Sequence, residues 1–304
     1  MIRVHVNDPL EKEAIEILKS KPQLNVTCEH LDKERLLALM PEIEVLIVRS
    51  ATKVTADLID KGAKLRLICR AGVGLDNIDV EAAQKKGIKV LNTPGASAIS
   101  VAELTFGLML SAARHIARGT VDLKNGLWTK KELEGIELFG KTLGIIGLGT
   151  IGKEVAKRAI AFGMNVVAYD PYVQAFEGVK LVNLDELYAV SDFITLHVPL
   201  TKETKHLISA QSIAKMKDGV IIVNASRGGV IDEAALYDAL MKRKVYAAAL
   251  DVFEVEPPND ELRKKLLQLP YVVATPHIGA STIEAQSRVA KELLQKLFEE
   301  LKIQ

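Results

Sequence analysis

The sequence predicts an α/β protein built from two doubly wound parallel-sheet domains. Its 304 residues are enough for two domains of about 150 residues each. Short β-rich runs alternate with helix-like stretches in two separate series, which are divided by a long Ala- and Leu-rich segment and a polar stretch. Such alternation predicts βαβ units and a parallel sheet covered on both faces. Two series therefore indicate two sheets rather than one very large one.

The first series fills roughly the first 95 residues. Its predicted strands and helices alternate as "IRVHV", "LEKEAIEILKS", "LNVTCE", "DKERLLALM", "EVLIVRS", "TADLIDKG", "LRLICRAG", "DVEAAQKKG" and "IKVLNTPG". Residues 97–118 are too rich in Ala and Leu over too many turns to form a strand, so they predict a long buried helix. Residues 119–140 are polar and irregular and include the only tryptophan, Trp128.

The second series begins at "KTLGIIGLG" and continues through "NVVAYD", "DFITLHVPL", "GVIIVNASRGG", "YAAALDVF" and "YVVATPH". A last helix is predicted over residues 282–301. Apolar residues at helical spacing require that this helix packs against a core. They are Ile283, Val289, Ala290, Leu293, Leu294 and Leu297.

The composition indicates a globular protein whose partners are small molecules or copies of itself. Lys and Arg number 40 against 39 Asp and Glu, so the net charge of +1 predicts no general attraction to nucleic acid or to an anionic membrane. Cys28 and Cys69 lack the paired spacing of a metal site and are expected to be buried free thiols. With no signal-peptide pattern and no apolar run near ~18 residues, we expect a cytoplasmic protein.

A glycine-rich motif in the second series predicts a dinucleotide site. In "GIIGLGTIGKEV" a strand leads into a turn and then a helix, with Gly147 for the tight turn, Gly149 for close approach of a pyrophosphate and Gly152 for close packing of the helix. Asp170 ends the next strand, where its carboxylate can bind both ribose hydroxyls and repel a 2′-phosphate. No arginine follows in "YDPYVQ". The motif therefore favours NAD over NADP.

A second glycine turn has two interpretations. "CRAGVGLDNID" also follows a strand and contains Gly72 and Gly74, but Asn77 stands where the third glycine of the motif would be. It is either a flexible turn that joins strand to helix or a loop whose amides hold an anion.

Three polar residues follow three strands of the second series and suit proton transfer. Because ligands of doubly wound sheets lie at the carboxyl ends of strands, Arg227, Glu256 and His277 are expected to face one crevice. A carboxylate beside an imidazole raises the imidazole pKa, which suits an acid–base group. Taken alone, Glu256, which precedes two prolines, is better interpreted as a solvated loop residue. The structural interpretation is favoured for His5, His30, His115 and His206, whereas His197 ends a strand and suits a secondary role.

These segments together resemble the D-2-hydroxyacid dehydrogenase family. The resemblance covers nearly the whole chain and is carried by "VRSATKVTADLID", "RAGVGLDNIDVEAA", "LNTPGASAISVAEL", "NASRGGVIDEAAL", "ALDVFEVEPP" and "TPHIGASTIEAQ". The motifs are most similar to the branch that oxidises 3-phospho-D-glycerate to 3-phosphohydroxypyruvate with NAD, the first committed step of serine synthesis. Alternatives are a glyoxylate or hydroxypyruvate reductase of the same family, and a non-catalytic NAD-sensing corepressor. The presence of Arg227, Glu256 and His277 together disfavours the corepressor, since a sensor needs no proton-transfer group.

The resemblance implies a role for each matching residue. It makes Arg227 the group that binds the substrate carboxylate, His277 the acid–base and Glu256 its partner. It implies a cofactor site formed by Val73, Gly147, Gly149, Thr150, Ile151, Gly152, Asp170, His197, Val198, Pro199, Ala225, Ser226, Arg227, Asp251, His277, Gly279 and Ala280. It implies a substrate site formed by Arg49, Arg70, Ala71, Gly72, Val73, Gly74 and Lys130 or Lys131, in which the arginines meet a phosphorylated hydroxy acid.

The resemblance also implies an arrangement of domains. A Rossmann-like NAD domain over residues 97–282 would be inserted into a flavodoxin-like substrate domain formed by residues 1–96 and 283–304. It implies a homodimer through the helix at 97–118 and the loop after it. We further expect a short form without the C-terminal regulatory domain of longer relatives, and no metal site.

Overall fold

A computed structural model of the chain describes residues 1–303. It divides into two compact units, one formed by residues 1–97 together with the stretch from residue 280 onward, and the other by residues 98–279. These limits lie within three residues of the boundaries that the resemblance implies. The insertion of one unit into the other is thus visible in the chain path.

The first unit contains a parallel sheet of five strands in the order β2-β1-β3-β4-β5. The strands are β1 Ile2–Val6, β2 Leu24–Cys28, β3 Val45–Val48, β4 Leu67–Arg70 and β5 Lys89–Asn92. Four helices connect them: α1 Lys12–Ser20, α2 Lys33–Leu39, α3 Ala56–Lys61 and α4 Val80–Lys85. This strand order is that of flavodoxin-like folds, which confirms the predicted fold class of this unit. Every segment predicted in the first series forms the expected element.

The helix predicted over 97–118 is shorter than expected. Helix α5, Ala98–Arg114, stops where His115 adopts a left-handed conformation with φ of 55°, and a separate helix α6, Ile116–Lys124, follows. The His115 ring lies 2.9 Å from the Tyr246 hydroxyl through its Nε2, a contact across 131 residues of sequence. Most of α5 is buried against the second sheet, whereas α6 buries none of its residues. Only the first of the two helices therefore belongs to the core.

The second unit contains a parallel sheet of seven strands in the order β12-β11-β10-β9-β6-β7-β8. The strands are β6 Thr142–Ile146, β7 Asn165–Tyr169, β8 Val179–Leu181, β9 Phe193–Leu196, β10 Val220–Asn224, β11 Val245–Leu250 and β12 Val272–Ala274. Of the seven strands, the sequence analysis missed only β8, because three residues at a sheet edge are too few to establish a pattern. The order reverses beside β6, as in Rossmann folds, and confirms the predicted class.

Helices cover both faces of this sheet. They are α7 Thr150–Ala161, α8 Leu184–Val190, α9 Ala210–Lys215, α10 Glu233–Met241 and α11 Glu261–Gln268. Strands β9 and β10 are buried at every residue, and two apolar clusters lie on opposite sides of the sheet. Such continuous burial is expected for a parallel sheet with two covered faces.

The chain returns to the first unit with helix α12, Ile283–Leu301. Five of the six predicted apolar positions are buried against the first sheet, but Ile283, in the first turn, is 84% exposed and does not contribute. Both cysteines are free; Cys69 is buried as expected, whereas Cys28, in the edge strand β2, is only half-buried.

Two negative findings concern the described residues 1–303. None of their helices combines the length and the apolar character needed to cross a membrane. No group of three or more His, Cys, Asp or Glu side chains among them is arranged to hold a metal ion.

Candidate active site

Three neighbouring strands of the second sheet bring Arg227, Glu256 and His277 to one edge. Each residue follows the carboxyl end of its own strand: β10, β11 and β12. Since parallel strands end at the same edge of a sheet, the loops that follow them lie side by side. The structure thus places together the three residues that the sequence analysis selected.

His277 and Glu256 form a close pair. His277 Nδ1 lies 2.7 Å from Glu256 Oε2, and the other carboxylate oxygen accepts a hydrogen bond from the Phe253 amide. The hydrogen bond and charge of Glu256 raise the pKa of His277 above its ordinary value of 6.5, against the opposing effect of burial. Burial also works to raise the pKa of Glu256, but the His277 and Phe253 hydrogen bonds outweigh it and the pKa lies below its usual value. The charged pair is therefore favoured.

The backbone at His277 is strained and is held by Asp251. His277 has a φ of 53°, a left-handed conformation that costs a residue with a Cβ about 1 kcal/mol. The buried Asp251 carboxylate accepts hydrogen bonds from the Thr275 hydroxyl and from the amides of Ile278 and Gly279, and its carbonyl accepts one from the His277 amide. Strain kept by so many contacts is typical of a functional residue.

Arg227 lies in a turn shaped by Asn224. The side chain of buried Asn224 accepts hydrogen bonds at Oδ1 from both the amide and the hydroxyl of Ser226, and its Nδ2 donates to the Arg227 carbonyl. The Arg227 guanidinium donates to the Ser226 carbonyl. Its charge lowers the pKa of both Glu256 and His277, although it is not the largest influence on either. A cation thus lies within electrostatic reach of the acid–base pair, where it suits a carboxylate.

The glycine turn after β6 fits a bound dinucleotide. Gly147 has a φ of 94°, and a side chain there would clash with the His197 carbonyl. A side chain at Gly152 would overlap the Gly147 carbonyl, so this glycine allows the helix to pack closely. A side chain at Gly149 would meet no protein atom within 4 Å, and its φ of −73° is ordinary. The protein itself does not require glycine at 149, whereas a pyrophosphate approaching the backbone would.

The start of α7 and Asp170 complete this region. Helix α7 begins at Thr150 with no side-chain cap and no acidic residue in its first turn, so the amides of Thr150, Ile151 and Gly152 suit an anion. Asp170 follows β7, and its carboxylate accepts hydrogen bonds from the amides of Leu148, Tyr172 and Val173. It is therefore fixed against the glycine turn, at the place where an adenosine ribose would be held.

His197 follows β9 and lies against the same turn. Its Nε2 is 3.0 Å from the Thr195 hydroxyl, and its buried Nδ1 has no hydrogen-bond partner within residues 1–303. Burial lowers its pKa to about 3, so the ring is neutral. A buried polar atom without a partner suits a bound ligand. Of the other predicted contacts, Ala225 and Ser226 are buried at the end of β10, whereas Val198 is half-buried and Pro199 exposed.

The predicted substrate residues at 49–74 lie in the first unit, also at strand ends. Arg70 ends β4, and Arg49 follows Val48, the residue of β3 paired with Arg70. Gly72 has a φ of 147°, and a side chain there would overlap the Arg70 guanidinium. Asn77 donates to the carbonyls of Arg49 and Thr52 and so ties the glycine turn to the Arg49 loop. Asn77, which stands where the third glycine of the motif would be, thus has a structural role.

Other predicted residues are placed differently. Lys130 and Lys131 form an exposed turn of the second unit, and Ala280 begins the part of the chain that belongs to the first. The other four histidines have structural contacts, as expected: His5 with Thr27 and Asn7, His30 with the Asn7 carbonyl, His115 with Tyr246, and His206 with Glu254. Sequence reasoning missed Thr275 and the structural role of Asp251, since nothing in their spacing indicates that they support the His277 turn.

Comparison with known proteins identifies the family of this chain. Residues 106–279 match the family described as "D-isomer specific 2-hydroxyacid dehydrogenase, NAD binding domain". A hydroxypyruvate reductase of Thermotoga maritima is 66% identical over 302 residues, which cover 99% of each chain. A D-3-phosphoglycerate dehydrogenase of Methanocaldococcus jannaschii is 57% identical over 291 residues, 94% of this chain but 55% of its own length.

Solved structures agree with this similarity. The D-lactate dehydrogenase of Aquifex aeolicus, determined with NAD and lactic acid, superposes with a TM-score of 0.88 and 33% identity over 99% of this chain and 95% of its own. The present chain therefore belongs to the D-isomer-specific 2-hydroxyacid dehydrogenases, with NAD as the cofactor of its second unit.

Proposed function

We propose that this protein reduces hydroxypyruvate to D-glycerate with NADH. The observation that carries the substrate assignment is the 66% identity to a hydroxypyruvate reductase over 99% of both chains. The chemistry is supported by the His277–Glu256 pair, with 2.7 Å between Nδ1 and Oε2, beside Arg227.

Each of these residues has one task. Arg227 binds the substrate carboxylate and orients the keto oxygen. NADH, held by the glycine turn after β6 and by Asp170, would supply the hydride for the C2 carbonyl carbon. His277, with Nδ1 engaged by Glu256, donates a proton from Nε2 to the oxygen as the carbonyl becomes an alcohol. Glu256 stabilises the protonated ring before that transfer. In the opposite direction the neutral ring removes the hydroxyl proton.

A phosphorylated substrate is the second candidate. It is favoured by Arg49 and Arg70, two arginines at neighbouring strand ends, and by the phosphoglycerate dehydrogenases that resemble this chain. The present chain spans about half the length of those relatives. The role in serine synthesis that the motifs suggest depends on this second candidate and stays a prediction.

A substrate panel tests both. We expect kcat/KM with NADH to be highest for hydroxypyruvate, above glyoxylate and 3-phosphohydroxypyruvate. A preference for 3-phosphohydroxypyruvate that Arg49→Gln removes would establish the second candidate instead. Lys53→Gln removes a charge from an exposed position of the same loop and serves as the control. If the protein reduces none of the three compounds, the proposal is overturned.

We also propose that two copies associate through α6 and the segment after it. Its apolar side chains are more than half exposed although they are large, which is unusual for the surface of a monomer. They are Ile116, Val121, Leu123, Leu127 and Trp128. Sedimentation should give a dimer that Trp128→Glu weakens, whereas Tyr172→Glu, at an exposed aromatic of another loop, should leave it intact. A wild-type monomer would contradict this proposal.

A further inference from the structure

A buried carboxylate outside the reaction lies under the loop that carries Glu256. Glu233 is the first residue of α10 and is only 3% exposed. Removing a carboxylate from water is costly unless it gains hydrogen bonds or an opposite charge. Its partners therefore indicate what this side chain supports.

Both carboxylate oxygens of Glu233 are engaged. Oε1 accepts a hydrogen bond from the Glu254 amide at 2.7 Å. Oε2 lies 2.7 Å from Nε of Arg263. These two atoms form an ion pair, but their geometry is not that of a hydrogen bond. Arg263, on α11, is 8% exposed and also lies 2.8 Å from Asp260 and 3.4 Å from the Glu254 carboxylate. Glu233 thus connects α10 with α11 and with the backbone at residue 254.

The backbone of residues 253 and 254 makes three close contacts. The Phe253 amide donates to Glu256 Oε1 at 3.1 Å, and the next amide along the chain, that of Glu254, donates to Glu233. The Phe253 carbonyl packs so closely on Gly228, next to Arg227, that any side chain at 228 would overlap it. The position of the Glu256 carboxylate, two residues along the chain from Glu254, therefore depends on where Glu233 holds the loop.

We propose that Glu233 is a positioning residue, which sets the distance between Glu256 and His277 by holding the Glu254 amide. This inference rests on the proposed acid–base role of the pair. Around Glu233 the charged groups are Arg263, Glu254, Asp260 and Asp232, with His206 on the far side of Glu254. The charged groups that face His277 are Glu256, Asp251 and Arg227.

Two double variants separate positioning from packing. Both remove the buried ion pair, which avoids leaving one charge buried without its partner. Glu233→Gln with Arg263→Leu keeps a side-chain oxygen that can accept from the Glu254 amide. Glu233→Met with Arg263→Leu has a similar volume but offers no such oxygen. Any loss that comes from Arg263 is therefore the same in both.

We expect the methionine variant to have a kcat for hydroxypyruvate reduction about 10- to 100-fold below that of the glutamine variant, with the Kd for NADH equal. The His277 ring, identified in NMR spectra by its loss in His277→Gln, should titrate at a lower pH in the methionine variant because Glu256 is displaced. Equal kcat and equal titration in the two variants would overturn the proposal, whatever their thermal stabilities. If wild-type protein reduces none of the keto acids, the proposed function fails, but the titration still decides the role of Glu233.

Discussion

One loop of the second unit carries two glutamates, each paired with a histidine from another segment, and the two pairs differ in their surroundings. Glu256 pairs with His277 at 2.7 Å, and Glu254 pairs with His206 at 3.2 Å. Both histidines have a φ of 53°, and the two carboxylates are similarly exposed, at 36% and 34%. Pair geometry and strain alone therefore do not identify an acid–base group.

Two features distinguish the pairs: the other groups that contact each glutamate, and the position of each histidine in the fold. Glu254 is shared between His206 and Arg263, so its charge is partly neutralised by a permanent cation. In the other pair, Oε2 of Glu256 faces the His277 ring, Oε1 accepts a hydrogen bond from the Phe253 amide, and the charge of Arg227 acts on the same carboxylate. His277 also follows a strand of the sheet and lies near the charge of Arg227, whereas His206 lies in a polar turn before α9. These differences favour the first pair for the proposed proton transfer, whereas the contacts of the second pair are those of a structural ion pair.

The largest expected effect comes from His277→Gln, which removes the proton donor. Turnover should fall by about 100- to 10,000-fold, the usual contribution of a general acid. NADH binding, followed by fluorescence titration, should stay near that of the wild type because the glycine turn and Asp170 are unchanged. Substantial turnover in this variant would assign proton transfer to another group.

Glu256→Gln should have the next largest effect, because it leaves His277 without its carboxylate. We expect kcat to fall by about 10- to 100-fold while the KM for NADH is unchanged. Glu254→Gln is the matched control, since it makes the same change at the other pair of the loop, and its kcat should be much closer to that of the wild type. Equal losses in the two variants would show that the loop as a whole, not the His277 pair, matters.

Gly149→Ala tests whether NADH binding can be weakened without changing either glutamate–histidine pair. The new Cβ meets no protein atom within 4 Å, so the fold should be preserved, but the pyrophosphate loses its close approach to the backbone. We expect the Kd for NADH to rise about tenfold or more, at a cost of about 1.4 kcal/mol per factor of ten. Gly107→Ala, whose Cβ also meets no protein atom within 4 Å, is the control. Unchanged binding in Gly149→Ala would move the pyrophosphate away from this turn.

The smallest effect is expected for His206→Gln. An ion pair with both side chains about one-third exposed contributes at most about 1 kcal/mol to stability. Turnover should remain within about twofold of the wild type, since a surface substitution that leaves His277, Glu256 and Arg227 unchanged is usually tolerated. Loss of turnover comparable to that of His277→Gln would mean that the two pairs act together.

The sequence predicts the fold and the location of the site because both depend on local patterns. Alternating segments predict both parallel sheets, and a parallel sheet ends all its strands at one edge, so Arg227, Glu256 and His277 must lie near one another. The short edge strand β8 and the break at His115 escape prediction. The first has only three residues, too few to establish a pattern. At the second, His115 contacts Tyr246, which is 131 residues away and which local patterns cannot reveal.

The supporting contacts of the site escape prediction for the same reason. Asp251 holds the His277 turn across 24 to 28 residues, and Glu233 holds the Glu254 amide across 21. Residue spacing shows only that Asp251 follows a strand and that Glu233 lies at a helix start. Only the folded chain shows which amides they accept from.

The pH dependence of NADH-driven hydroxypyruvate reduction, compared between wild type and Glu256→Gln, tests the central claim most directly. Reduction requires protonated His277, so kcat/KM should fall as the pH rises through the His277 pKa, which Glu256 holds above 6.5. Without that carboxylate the pKa drops, and the midpoint of the fall should move to lower pH by the same amount as the NMR titration of His277. A midpoint that stays in place in Glu256→Gln would contradict the assignment of His277 and Glu256 as the acid–base pair.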